Sequence, residues 1–234
     1  MASKTSQGCL GLIAGLGVGA TVHYYRELAK AHQARGSALQ LVMVHADMHR
    51  VLDHVRAGKR TGLAEYLAGL IGRLRAAGAD VAAIPAVTPH CCAAELMEIS
   101  PLPLANILTA TDEAIAARAF RRMAVFGTRF SIETDLFGQI RNAEIVRPQP
   151  AEIDQIHETY TQLAEAGIGS DTQRQQLSSL ARKMIDRGQL DGIILAGTDL
   201  SVIFDEKTTD FPHIDCSRIH LEAIMKRLFR LGYD

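Results

Sequence analysis

Pro89-His90-Cys91-Cys92 sets one imidazole and two thiols in succession behind a proline, the residue best suited to a first helical turn. A thiol in that turn has its thiolate stabilised by the helix dipole, which makes Cys91 and Cys92 candidates for proton chemistry, and a small buried hydrophobe is the plainer reading of a free cysteine. His90 reads either as an acid–base group or as a structural histidine bonded at the helix start. A second group, His45, Asp47 and His49, alternates imidazole and carboxylate. On an extended chain these side chains point the same way, which suits substrate contact or metal ligation, and a solvated loop is the plainer reading. Cys216 follows a short apolar run, and Cys9 precedes another without further signal. Gly15, Gly17 and Gly19 allow a tight strand-to-helix turn with close backbone approach. A dinucleotide site would also want an acidic residue at the end of the second strand, and Val44-His45-Ala46-Asp47 offers only a late one. No nicotinamide cofactor is expected.

These residues sit in a chain of 234 with 25 Lys+Arg and 26 Asp+Glu. Nearly balanced charge argues against a dedicated nucleic-acid binder, which needs a basic surplus on one face. With no Trp and 5% aromatic residues, stacking platforms are not expected. Apolar stretches are broken well before the roughly 20 residues of a membrane helix. The segment up to Gly19 lacks a charged n-region and a cleavage site, so no signal peptide is expected. The four cysteines form no Cys-x-x-Cys, and Cys91 and Cys92 are adjacent, which suits neither a zinc clip nor a disulfide scaffold. A reducing, cytoplasmic setting is expected.

Positioning falls to alternating strands and helices. Residues 10–15, 39–45, 80–86, 122–127, 192–197 and 213–215 are short apolar runs that read as buried parallel strands. Helical patterns lie at 21–34, 63–77, 114–119, 152–165, 173–187 and 219–231, with Gly36, Gly78, Gly167 and Gly188 at expected C-caps. Leu63, Leu67, Leu70 and Leu74 form a core or subunit-facing stripe, and 169–179 a solvated helix start or mobile flap.

Two segments read alike: Asp80-Val-Ala-Ala-Ile-Pro-Ala86 and Asp191-Gly-Ile-Ile-Leu-Ala-Gly197, which start 111 residues apart. Leu12–Gly15 and Ala124–Gly127 repeat at a spacing of 112. The expected fold is α/β: two similar Rossmann-like parallel-sheet halves related by a pseudo-twofold, with the active-site cleft between them at the carboxyl ends of the strands. The first lobe is expected over 1–103 plus 212–234 and the second over 104–211, with crossovers near Ser100–Pro103 and Asp210–Pro212.

The motifs also resemble those of the aspartate/glutamate racemase superfamily. Ala14-Gly-Leu-Gly-Val-Gly-Ala-Thr21, followed by Tyr24-Tyr25, is similar to that family's opening Gly-Gly-Met-Gly-Pro-x-Ala-Thr. Ala86-Val-Thr-Pro-His90 resembles its Cys-Asn-Thr-x-His, and Leu195-Ala-Gly-Thr-Asp199 its Leu-Gly-Cys-Thr-Glu. Val125-Phe-Gly-Thr128 resembles the strand that opens its second half, and Ile214-Asp-Cys-Ser-Arg-Ile-His220 its Asp-Thr-Thr-x-Ile-His. The resemblance runs in order along nearly the whole chain. It implies chemistry at Cα of a small amino acid or carboxylic acid, without pyridoxal phosphate or metal, in a homodimer. In the family, one thiolate removes the α-proton and a second thiol returns it, while donors hold the substrate carboxylate.

Both thiol positions depart from the pattern: Ala86 and Gly197 stand there, and Val87 replaces the Asn. The two-thiol mechanism cannot run, and a roomier, less polar site is expected. A sulfur relocated to Cys91, Cys92 or Cys216 is one remedy. Asp199 reads as an acid–base group or, more simply, as a helix N-cap. The resemblance assigns substrate contact to Gly15, Thr21, Asp47, Val87, Thr88, Thr128, Thr198 and His220, against the plainer reading of a threonine that satisfies local backbone. The alternatives to an isomerase are a carboxylate-binding pseudoenzyme and a related decarboxylase or lyase needing a single proton donor.

Overall fold

A computed structural model describes residues 8–205 and 207–230; the first seven residues and Leu231 lie outside them. The order is β1 (Leu10–Ala14), α1 (Val18–Ala34), β2 (Leu41–His45), α2 (Met48–Arg56), α3 (Arg60–Ala76), β3 (Val81–Ala83), α4 (Ala93–Ile99) and β4 (Leu104–Ala105). It continues through α5 (Ile107–Ala117), β5 (Arg122–Phe126), α6 (Arg129–Glu133), β6 (Glu144–Ile145), α7 (Pro150–Ala166) and α8 (Asp171–Gly188), then β7 (Gly192–Leu195), β8 (His213–Asp215) and α9 (Cys216–Arg230). Short 3-10 turns cover Thr88–Cys92, Asp135–Gln139 and Thr198–Val202.

The strands form two four-stranded parallel sheets of one topology, β2-β1-β3-β4 and β6-β5-β7-β8. The central strands β1, β3 and β7 are buried throughout, as continuous apolar runs require when both sheet faces are covered. Strand β2 is different. Its apolar residues suggest a buried strand, yet it lies at a sheet edge and leaves Met43 48% exposed. On one face of the first sheet, Leu63, Leu67, Leu70 and Leu74 of α3 pack into a core with Ile13, Ala82 and Ile84. On the other, Tyr24 and Leu28 of α1 meet Leu221, Ile224 and Leu228 of α9 across Leu10, Leu12 and Val81. The leucine stripe is therefore core.

The chain divides into two compact units: the segment up to Asn106 with His220 onward, and Ile107–Ile219. Strand β8 pairs with β7, so the second unit reaches past the boundary expected at 211/212. Other departures have local causes. Of His45, Asp47 and His49, whose plainer reading was a solvated loop, His45 ends β2 and His49 lies in α2, which Asp47 caps by accepting from the N–H groups of His49 and Arg50. Helix α8 begins at Asp171 under a reciprocal Ser170–Gln173 capping box, where a flap was one expectation. It ends on Gln189 in the left-handed region, one residue after the expected Gly188 cap.

The two matching aspartates explain part of the repeat. Asp80, ahead of β3, accepts the Cys9 N–H at 2.7 Å just before β1. Asp191, ahead of β7, accepts the N–H groups of Arg121 and Arg122 at 2.6 and 2.9 Å where β5 begins. Each carboxylate thus clamps the start of the neighbouring central strand, and the backbone donors hold the Asp191 carboxyl below its ordinary range. Both side chains meet water, which screens them. Asp80→Ala and Asp191→Ala are expected to lower the unfolding free energy by about 0.5–1 kcal/mol each in urea melts, Asp191→Ala more because two donors lose their acceptor. Unchanged midpoints would show that the clamps do not contribute.

Candidate active site

The residues singled out by chemistry gather at the carboxyl ends of the strands, and each unit has its own set. In the first unit the chain leaves β1 through Gly15, whose φ of +88° is left-handed. A Cβ there would lie 2.6 Å from Nε2 of His45, so the position requires glycine. The Thr21 hydroxyl ties this loop, accepting from Gly15 N–H at 3.3 Å and donating to the Gly17 carbonyl at 2.9 Å. Asp47 caps α2 while its own N–H donates to the Tyr66 hydroxyl at 2.8 Å.

After β3, Ala86 and Val87 are buried and Thr88 is half-buried at the head of its 3-10 turn. His90 Nδ1 donates to the Ala86 carbonyl at 2.9 Å, and its ring lies edge-on to His220 with centroids 6.3 Å apart. His220 is fully buried: Tyr24 Oη donates to its Nδ1 at 3.0 Å, and Nε2 donates to the Ala105 carbonyl at 2.9 Å. Burial pulls His90 down to about 4 and His220 to about 3, so both rings are neutral.

The thiols do not behave as the helix-dipole argument suggests. The proline-led segment is a 3-10 turn, and α4 begins only at Ala93. Cys92 lies in the core with Sγ on the Pro89 carbonyl, and burial pushes it up to about 12. Burial also raises half-buried Cys91. In the second unit Cys216 accepts from the Thr111 hydroxyl at 3.3 Å, and burial pushes it up to about 12. Desolvation exceeds any dipole term in each case, and all three stay protonated at neutral pH.

In the second unit, the ends of β5 and β7 lie side by side: a Cβ on Gly127 would come 3.4 Å from Ala196 Cβ and from Gly197 N. Thr128 caps α6, accepting from Ser131 N–H at 3.1 Å. Thr198 is buried at the start of its 3-10 turn.

At position 197 the expectation of an emptier, less polar site is corrected. A Cβ on Gly197 would fall 2.1 Å from Cε2 and 2.6 Å from Cδ2 of Tyr160, so the tyrosine ring already fills that space. Tyr160 Oη donates to Asp199 Oδ2 at 2.9 Å. Asp199, 7% exposed, makes no helix cap, contrary to its simpler sequence reading. Burial first, then the Asp199 charge, raise the Tyr160 phenol well above its ordinary value, so it remains an O–H donor.

Tyr160 rides on α7, which packs against the 198–202 turn and against α6 and α8. Two turns earlier on α7, Glu152 accepts from Gln149 N–H at 2.8 Å and takes both Arg187 guanidinium nitrogens of α8, at 2.5 and 2.9 Å. His157, one turn before Tyr160, accepts from Arg129 N–H at 3.3 Å, beside an Arg129–Asp154 ion pair at 2.6 Å. Tyr160 and His157 were not singled out in the sequence, because nothing in the spacing of α7 shows that it lies across the ends of β5 and β7. Among the described residues, no cluster of three or more His, Cys, Asp or Glu could hold a metal, and no helix is long and apolar enough to cross a membrane.

Residues 13–224 match the family model described as Asp/Glu/Hydantoin racemase. Among solved structures, the chain is similar to a proposed Asp/Glu racemase from Yersinia pestis, at 23% identity and a TM-score of 0.82 over 95% of this chain and 99% of that one. An aspartate racemase homologue from Pyrococcus horikoshii matches at 19% identity and a TM-score of 0.80, over 97% and 100%. Glutamate racemase from Francisella tularensis, solved with D-glutamate, matches at 15% and 0.64, over 96% and 82%.

The buried histidines give a measurable signature. Folded, they stay neutral down to about pH 4 and about pH 3. Unfolded, they take up protons below about 6.5. Their share of stability is therefore complete above pH 6.5 and is lost as pH falls, at up to about 1.4 kcal/mol per pH unit for each ring. Urea midpoints are expected to fall from pH 6.5 to pH 4.5, and less steeply for His220→Gln. An equal slope in that variant would show that the ring titrates as in water.

Proposed function

The chain belongs to the Asp/Glu/hydantoin racemase family, and we propose that it works at Cα of a small amino acid or carboxylic acid as a cofactor-independent isomerase whose acid–base groups are not the family's thiol pair. The observation that carries this reading is the pair of matching strand ends, Ala86 after β3 and Gly197 after β7, with the Tyr160–Asp199 hydrogen bond standing where the second thiol would be.

Neither Ala86 nor Gly197 can hold a proton, and half-buried Cys91 and buried Cys92 and Cys216 hold theirs too tightly to serve as thiolates. Acid–base work passes to Asp199, with His90 fixing the Ala86–Val87 backbone through the Ala86 carbonyl. Substrate contact is assigned to Asp47, Thr88 and the loop from Gly15 to Thr21 in the first unit, and to Thr128 and Thr198 in the second. Such donors at strand ends stabilise the charge that develops when Cα loses its proton. His220 acts from the core, holding Tyr24 and Ala105 rather than ligand.

The same reading takes a homodimer and a reducing, cytoplasmic setting. The four cysteines are free, and Val18, Val22 and Tyr25 form an exposed apolar stripe along α1, Val18 at 69% exposure. Light scattering is expected to give twice the mass of the chain, and Val18→Glu with Val22→Glu half of that. A wild-type monomer would remove the dimer from this reading.

The function itself is tested with L-aspartate, L-glutamate and other amino acids in D₂O. Loss of the α-proton NMR signal that depends on the protein is the expected result. Measurable binding of these acids with no exchange would favour a carboxylate-binding pseudoenzyme.

A further inference from the structure

We infer that Tyr160, held by Asp199, is the proton carrier that replaces the thiol missing at position 197 and that it serves one face of Cα. The inference rests on the function proposed above and names the group that moves the proton at that face.

Three observations in the second unit carry it. First, the space is taken: the Tyr160 ring lies 2.1 Å from where any Cβ at 197 would be, so a thiol at 197 and this ring exclude one another. The glycine is thus matched to the tyrosine. Second, the hydroxyl is aimed. It donates at 2.9 Å to a carboxylate that is itself buried and that leaves the adjacent 3-10 turn uncapped to receive it. A buried carboxylate needs such a donor, and a phenol paired in this way has a fixed orientation. Third, the helix that bears Tyr160 is anchored on both sides, by Glu152–Arg187 to α8 and by the Arg129 contacts to α6.

The step balances within the pair. Tyr160 Oη accepts the α-proton as its own proton passes to Asp199 Oδ2. The C–H electron pair stays on Cα and spreads into the substrate carboxylate, and the phenol ends neutral. The return step runs the same transfers backwards, after the Asp199 and Tyr160 protons have exchanged with solvent. A relay is required because the phenol is too weak an acid to be ionised beforehand. Asp199, which acts through Tyr160, is the positioning residue.

The test uses the full chain with L-aspartate and L-glutamate in D₂O, following α-deuteration by NMR and binding by calorimetry. Wild type is expected to deuterate these acids at Cα. Tyr160→Phe, which keeps the ring and removes the hydroxyl, should slow exchange at least 100-fold with affinity within about threefold. Asp199→Asn should slow exchange and move its pH profile upward, because the phenol must then ionise unaided. Independently of any substrate, Gly197→Ala should lower the melting temperature, and adding Tyr160→Ala should restore part of it. Exchange that survives Tyr160→Phe or an undisturbed Gly197→Ala would each overturn the inference and leave the proposed function standing. Binding of these acids by wild type without exchange would overturn the dyad as proton carrier while keeping the carboxylate pocket. Neither binding nor exchange would overturn the function itself.

Discussion

One volume, the size of a side chain at position 197, can hold either a residue there or the ring of Tyr160. It holds the ring. Much of the second unit's carboxyl edge follows from that exclusion. Gly197 must lack a Cβ, Asp199 turns to the phenol instead of capping its own turn, and α7 must lie close across the ends of β5 and β7. Tight packing makes such a choice discrete, since interiors have no slack for both groups. The phenol that takes the space has its proton held in place by a buried carboxylate.

The scaffold beneath that edge is built twice. Both sheets have the same strand order, and in both an aspartate ahead of the third strand clamps the first residues of the central one. The copies diverge in what lies at the strand ends. The first unit invests its buried polar groups in a fixed network, Tyr24–His220–Ala105 with His90 on the Ala86 carbonyl. Both histidines are neutral there, so the network orients backbone rather than moving protons. In the second unit the buried hydrogen bond ends on a carboxylate, a group able to take a proton.

Much of this was legible in the residues. Continuous apolar runs marked the central strands, because a sheet covered on both faces has no polar side. The repeat spacing marked the two copies. Local capping was harder to read: Asp47, read with His45 and His49 as a solvated loop, starts a helix, and Gly188 yields its cap role to Gln189. At Cys92 and Cys216 the plainer reading of a free cysteine as a small buried hydrophobe is what the core shows, since a position near a helix start says nothing of how much apolar surface surrounds the sulfur. Tyr160 was invisible for a different reason. It lies 37 residues before Gly197, and only the packing of α7 across the sheet brings them together.

The most direct measurement is the titration of Tyr160 in the folded protein, read from the ¹³Cζ resonance of labelled tyrosine and assigned with the Tyr160→Phe variant. A phenol locked against Asp199 is expected to stay protonated beyond the ordinary tyrosine range near pH 10, and to titrate earlier once Asp199 is replaced by Asn. A Tyr160 that ionises within the ordinary tyrosine range, indifferent to residue 199, would contradict the account.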